Sequence, residues 1–275
     1  MPSHDELKGR AAAAYNAAAD AYDAPENAFW DRFGARTVER LDLQPGMRVL
    51  DVCSGSGGSA IPAARAVGPT GQVIAVDLAD NLLARLRAKA ERLGLTQLEA
   101  RTGDLLDPPL EAAATFDAVV CVFGIFFVAD MAEAVRRLWA RVAPGGQLAI
   151  TTWGPGLFEP ANTVFWDAVR SERPDLFKQF NPWDAITTPE AVHRLLRSAS
   201  VPDAQVVAES STHPLASPSA WWTLVMGSGY RGTVEQLTDA AAERVRANNL
   251  ESLAKQGIAD VVTNVVFAVA RRPTA

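Results

Sequence analysis

The stretch VLDVCSGSGGSA, residues 49–60, reads as a strand, a tight turn and the start of a helix. Aliphatic and β-branched residues lead into Asp51, the small residues Ser54, Gly55, Ser56 and Gly57 follow, and a helix is expected to begin near Ser59. Small residues let backbone approach a ligand that a Cβ would block. In open parallel sheets, ligands bind outside the carboxyl ends of the strands, where such a turn sits.

Working outward, short β-rich runs alternate with helical ones. Strands are expected at 47–52, 72–78, 98–105, 116–124 and 147–153, with helices such as 81–94 and 131–142 between them. Val and Ile fill several of these strands without clean alternation, as expected when helices cover both faces. The alternation predicts an α/β fold with a doubly wound, mostly parallel sheet, and Pro144-Gly145-Gly146 reads as the turn into the fifth strand. Two later strands, 204–211 and 263–270, bring the expected sheet to seven.

Upstream of the turn, the Ala-rich opening carries Tyr15, Ala18, Ala19 and Tyr22 at helical spacing, and a second helix is expected from Phe29 to Leu43. Downstream of Trp153 the rhythm changes. Residues 154–188 are rich in Pro, Gly and aromatics, including Phe158, Phe177 and Phe180, with a helix expected from Ala161 to Arg173. A second excursion, with Trp221, Trp222 and a long amphipathic helix, precedes the last strand. The expected organisation is one domain over 1–275. Residues 47–153 form the ligand-binding core, 189–213 and 258–275 complete it, and 1–46, 154–188 and 214–257 form a cap.

The whole chain has 275 residues, 48% of them apolar and 21% charged, which is globular composition. Its 26 Lys and Arg against 32 Asp and Glu leave a net charge of −6, and no dense basic run offsets it. That field disfavours nucleic acid as a partner. Two cysteines, Cys53 and Cys121, suggest neither a disulfide framework nor a metal site, and a reduced cytoplasm is the expected setting. The opening has no signal-peptide segment, and no run approaches the ~18–20 apolar residues of a membrane span.

Three acids flank the turn. Asp77 ends the second strand, twenty residues after Gly57, where an acid can accept two hydrogen bonds from ribose hydroxyls. Gly55-x-Gly57-x-x-Ala60 also fits the dinucleotide pattern, with Asp77 at the distance expected for NAD. Asp51, in the turn's own strand, suits a cationic amino group better than a pyrophosphate. Asp104, after the third strand, is placed to accept from an adenine amino group. The three together favour a ligand with cationic centres and little negative charge.

The ordered set Asp51 to Gly57, Asp77, Gly103-Asp104, FDAVVCVFGIFFVAD (116–130) and Pro144-Gly145-Gly146 resembles the motifs of class I S-adenosylmethionine-dependent methyltransferases. The nearest branch is the ubiquinone/menaquinone-type C-methyltransferases and their small-molecule relatives. The likeness runs over about residues 15–153, and the later order of elements also resembles the family's Rossmann-like architecture. It implies a cofactor, S-adenosyl-L-methionine, and a product, S-adenosyl-L-homocysteine. Asp51, Ser54, Gly55 and Gly57 would face the methionine half, with the Cys121 backbone helping to hold its amino-acid end. Asp77 would bind the ribose, Leu78 would lie beside the adenine, and Asp104 and Leu105 would read the ring. Tyr22, in the pair Tyr22-Asp23, would close near the sulfonium. Cys53 stands where the family usually has its first loop glycine.

Methyl transfer from a sulfonium is an in-line displacement, so the protein mainly aligns the nucleophile and excludes water. Many relatives offer histidines after the fourth strand, where this chain has Phe126 and Phe127. His213 is the candidate base, while His4, His193, Tyr15 and Tyr230 read as terminal, surface or packing residues. Phe123, Phe127 and Trp153 are the expected walls of a substrate pocket, with Trp166, Trp183 and Trp222 as further contributors. Such walls imply a small, apolar or aromatic acceptor, of the kind found in secondary metabolism. Two other functions compete. One keeps the cofactor pocket but changes the chemistry, as a cyclase or a non-catalytic binder. The other is an NAD-dependent oxidoreductase, disfavoured by Asp51 and Asp104.

Overall fold

The computed structural model describes residues 4–178 and 181–274; Phe180 and the side chain of His4 lie outside the described residues. Strands β1 (Arg48–Val52), β2 (Gln72–Asp77), β3 (Leu98–Thr102), β4 (Phe116–Val122) and β5 (Val142–Trp153) alternate with helices α3 (Ala60–Val67), α4 (Asp80–Arg92) and α5 (Met131–Ala140). Together with β6 (Ala204–Glu209) and β9 (Val265–Arg271), they form a seven-stranded sheet in the order β3-β2-β1-β4-β5-β9-β6. Neighbours from β3 to β5 are parallel, and β9 runs antiparallel to both β5 and β6. The doubly wound, mostly parallel, Rossmann-like sheet is therefore as expected. Its strand order reverses where β1 and β4 meet, which places a crevice at their carboxyl ends.

The missing alternation in the strands has a direct cause. Val49, Val73, Ala75, Ala118 and Val120 pack on one face against Ala60, Ala63 and Ala64 of α3 and Leu83 and Leu86 of α4. Leu50, Val52, Ile74, Val76 and Val119 pack on the other, in a core shared with Phe29, Trp30 and Phe33 of α2 (Phe29–Val38). Both faces are apolar because both are covered.

Several boundaries differ from the expectation. The second helix stops at Val38 instead of Leu43, because the chain tightens into three-residue turns (Arg40 N–H to Thr37 O, Leu41 N–H to Val38 O) that bury Leu41. Pro144-Gly145-Gly146 lies inside β5, where the β4–β5 register shifts between Phe116 and Ala118; it is a bulge and not a preceding turn. The run 204–211 does not stay one strand. β6 ends at Glu209, Ser211 is tied to Thr263 and Asn264, and β7 (Thr212–Pro214) pairs with β8 (Asp260–Val262) in a separate two-stranded sheet.

Helix α1 (His4–Tyr22) packs against α4, α8 (Pro218–Met226) and α9 (Arg231–Val234), while α10 (Asp239–Gln256) packs on α6 (Ala161–Glu172) and α8. Helix α10 buries Ala241, Val245, Asn249 and Leu253 at a four-residue spacing. Thr238 caps its start, and Gly257 ends it in the left-handed region. Asn249 accepts from the Trp221 indole at 2.9 Å, and the Asn27 amide reaches Ala21 O at 2.9 Å, so polar side chains fix these helices where they are buried.

Candidate active site

After β1 the chain enters the left-handed region at Cys53 and again at Gly55 (φ +54°). A Cβ on Gly55 would sit 2.9 Å from the Tyr22 hydroxyl, so both conformation and space call for glycine. The loop is anchored by Ser54 N–H to Val76 O (3.1 Å) and by Gly55 N–H to Asp77 Oδ2 (2.8 Å). Asp77 Oδ1 accepts from Ala79 N–H at 2.8 Å. Burial pushes the Asp77 carboxyl up, and donors from Ala79, Gly55 and Leu78 oppose that shift.

A cavity enclosing about 930 Å³ of atom-free space, part of it open to solvent, lies over this loop. Of the residues expected at the site, Tyr22, Ser54, Gly55, Asp77, Leu78, Asp104, Leu105, Phe123 and Phe127 line it. Asp104 accepts from Leu106 N–H at 2.9 Å and pairs with Lys8 Nζ at 3.2 Å. Tyr22 stacks on Trp30 with centroids 5.1 Å apart, and Tyr15 meets Tyr22 and Phe127 edge-on. Asp23 holds the end of α1 on the loop by accepting from Ser56 Oγ (2.5 Å) and Lys89 Nζ (2.6 Å).

Five expected residues stand elsewhere. Asp51 lies behind the wall, fully buried; its Oδ2 accepts from Ser59 Oγ at 2.7 Å, and Ser59 itself lines the cavity. Gly57 faces Leu86 and Ile61, so its missing Cβ makes room for helix packing and not for a ligand. Cys121 is fully buried in β4, and the wall meets the end of that strand at Val122 and the following Phe123. Trp153 belongs to the core, stacked on Phe123 at 3.7 Å between centroids. His213 is buried on β7, donating from Nε2 to Glu26 O (2.8 Å) and set edge-on to Phe29; burial pushes its pKa down, and nothing places it as a base at the cavity.

Of the further tryptophans, Trp166 packs with Phe165, Phe177 and Tyr230, and Trp183 packs on Phe126; neither they nor Trp222 line the cavity. His193 lies on α7 (Pro189–Ser198), and the Tyr230 hydroxyl donates to Asn162. Sequence reasoning missed Trp30 and Gly34, a four-residue pair on α2, and Lys8, Ala11 and Ala12, which share one face of α1 with Tyr15 and Tyr22. Helical spacing was the available signal.

Two buried oxygens at this corner, Asp51 Oδ1 and Ser54 Oγ, have no hydrogen-bond partner among the described residues. Burial pushes the Asp51 carboxyl up to about 7, partly countered by Ser59. A donor brought to this corner of the cavity would meet Ser54 at the wall, positive charge there would act on Asp51 from across Ser59, and Asp77 and Asp104 offer acceptors along the ends of β2 and β3.

Residues 49–146 match the family model described as a methyltransferase domain. The sheet order is compatible with that match. Over that stretch the chain is similar to a methyltransferase domain. The cavity lining offers hydrogen-bond acceptors at Ser54, Asp77 and Asp104. A segment of 112 residues is 38% identical to demethylmenaquinone methyltransferase of Bacillus cytotoxicus, covering 41% of this chain and 47% of that protein. The chain thus spans about half the length of the relatives it matches. Haemonchus contortus phosphoethanolamine N-methyltransferase 2, solved with phosphomonomethylethanolamine and S-adenosylhomocysteine, has the same fold (TM-score 0.54, 19% identity), with 88% of this chain and 52% of that one covered. So does the [4+2]-cyclase SpnF (TM-score 0.53, 19% identity, 89% and 82% covered). These two likenesses speak for fold alone.

Proposed function

We propose that the protein is an S-adenosylmethionine-dependent methyltransferase acting on a small, largely apolar or aromatic acceptor. The observation that carries this reading is the continuous wall formed by Gly55, Asp77 and Asp104 at the ends of three adjacent strands. Asp77 would bind the ribose, Leu78 would flank the adenine, and Asp104 and Leu105 would read the ring. Ser54, Gly55 and Tyr22 would surround the methionine half, with Asp51 acting from behind through Ser59.

The cofactor supplies a methyl group already activated on a sulfonium. What remains for the chain is to orient and to exclude water. Tyr15, Trp30, Phe123 and Phe127 provide apolar surface for a flat acceptor, and Ala11 and Ala12 of α1 cover the cavity from above. The acidic balance favours a small molecule over nucleic acid, and the two free thiols favour a cytoplasmic setting. No described helix is long and apolar enough to cross a membrane.

The test is transfer of labelled methyl from S-adenosylmethionine into a panel of phenolic, quinol and alkyl acceptors. Label in a product, with equimolar S-adenosylhomocysteine, is the expected result. Two observations favour a second reading: no histidine lines the cavity among the described residues, and SpnF shares the fold. Conversion of an acceptor without release of S-adenosylhomocysteine would select that cyclase-like chemistry.

A further inference from the structure

Two thiols meet beneath the cavity. Cys53 follows the end of β1 and lines the cavity, while Cys121 lies in the neighbouring strand β4 and is fully buried. The β1–β4 register pairs Val52 with Cys121, so Cys53 is offset from Cys121 by one residue across adjacent strands. At a strand spacing of about 4.8 Å, that offset falls within the roughly 4.4–6.8 Å between Cα atoms that a disulfide spans. The sulfurs share one notch: a Cβ on Gly124 would stand 2.5 Å from Cys53 Sγ and 3.2 Å from Cys121 Sγ.

We propose that Cys53 and Cys121 are a redox modification site in the cavity floor, closing to an intramolecular disulfide by exchange with a small-molecule disulfide, and that a ligand in the cavity blocks the closure. Only Cys53 can be reached from the cavity, which fixes the order of steps. Its thiolate attacks one sulfur of the small disulfide RSSR, forming the mixed disulfide and expelling RS⁻. The Cys121 thiolate then attacks the Cys53 sulfur and expels the second RS⁻. The two protons lost by the cysteines end on the two departing thiolates, so two protein thiols are oxidised and one small disulfide is reduced. The neighbouring Cys121 thiol, burial, and the carboxylates of Asp77 and Asp51 all push the Cys53 thiol up. Closure is therefore slow at neutral pH and faster as pH rises.

The blocking half of the proposal rests on the methyltransferase reading, because S-adenosylhomocysteine is the ligand used to test it. The reduced full chain is incubated with oxidised glutathione and followed by intact mass. The expected result is a loss of about 2 Da, one disulfide's two hydrogens. Cys121→Ser should instead accumulate the glutathione adduct at Cys53, and Cys53→Ser should stay unmodified while folded by circular dichroism. Saturating S-adenosylhomocysteine, with binding to the reduced chain established first by calorimetry, should slow closure at least tenfold. A wild-type chain that stops at the adduct would overturn the pair, as would reaction of Cys121 in folded Cys53→Ser. Unchanged closure with S-adenosylhomocysteine bound would overturn the blocking. Closure by a chain that does not bind S-adenosylhomocysteine would leave the disulfide standing and count against the methyltransferase reading.

Discussion

Asp77 holds the loop and, on the proposed function, would hold the ligand's ribose as well. Its two oxygens hold Gly55 and Ala79 N–H groups at 2.8 Å each, so the loop is set before any ligand arrives. Asp77→Ala should weaken S-adenosylhomocysteine binding by about 1.5–3 kcal/mol, typical of hydrogen bonds to charged groups, with the fold retained by circular dichroism. Unchanged affinity in a folded variant would remove Asp77 from the site, and Asp104→Ala checks the adenine end separately. Asp51 makes a pH prediction. Its carboxyl is raised to about 7 in the folded chain, well above the unfolded value near 4, so the folded state holds more protons between those values. Stability of the ligand-free protein should fall as pH rises from about 4 to about 7 and level off above. A ligand ammonium at the cavity wall, beside Ser59, favours the charged form of Asp51 behind it, so affinity should rise over the same interval. Urea midpoints and calorimetry at several pH values measure both, and Asp51→Asn should flatten both slopes.

At the scale of elements, α2 owes its place to Gly34. A Cβ there would collide with the carbonyl of Gly58 and the backbone nitrogen of Ser59, so helix and loop touch backbone to backbone. Helix propensity alone would favour Gly34→Ala by about 1 kcal/mol. The contact predicts the opposite sign: a loss of about 1–3 kcal/mol from overpacking, with weaker S-adenosylhomocysteine binding as the loop shifts. Urea unfolding decides the sign. Nothing in local sequence separates Gly34 from a tolerated helix glycine, because the partner backbone comes from residues over twenty positions away. The same reason hid the role of Gly57, whose neighbours Leu86 and Ile61 are set by how α3 and α4 pack. The strands and the glycine turn were legible because burial on both faces and the need for a left-handed backbone write themselves into adjacent residues.

At the scale of the molecule, the site is an assembly of strand ends under a helix. The loop after β1 and the acids after β2 and β3 were readable from spacing alone. Which aromatics face the cavity was not: Trp153 and His213 looked suitable by position, yet the core takes the one and the Glu26 carbonyl the other. Helix α1 adds what a turn motif cannot encode, since Lys8, Tyr15 and Tyr22 come down onto the cavity from one helical face while Asp23 ties its end to Ser56 and Lys89. Replacing Asp23 by Asn should loosen that tie and lower S-adenosylhomocysteine affinity severalfold, read by calorimetry, while leaving the urea midpoint of the sheet nearly unchanged.

On the proposed function, the acid-lined cavity takes a sulfonium cofactor and not a dinucleotide. Isothermal calorimetry of the purified chain with S-adenosylmethionine, S-adenosylhomocysteine and NAD in parallel tests it most directly. Micromolar binding of the first two with no heat from NAD is the predicted result. Binding of NAD alone would contradict it.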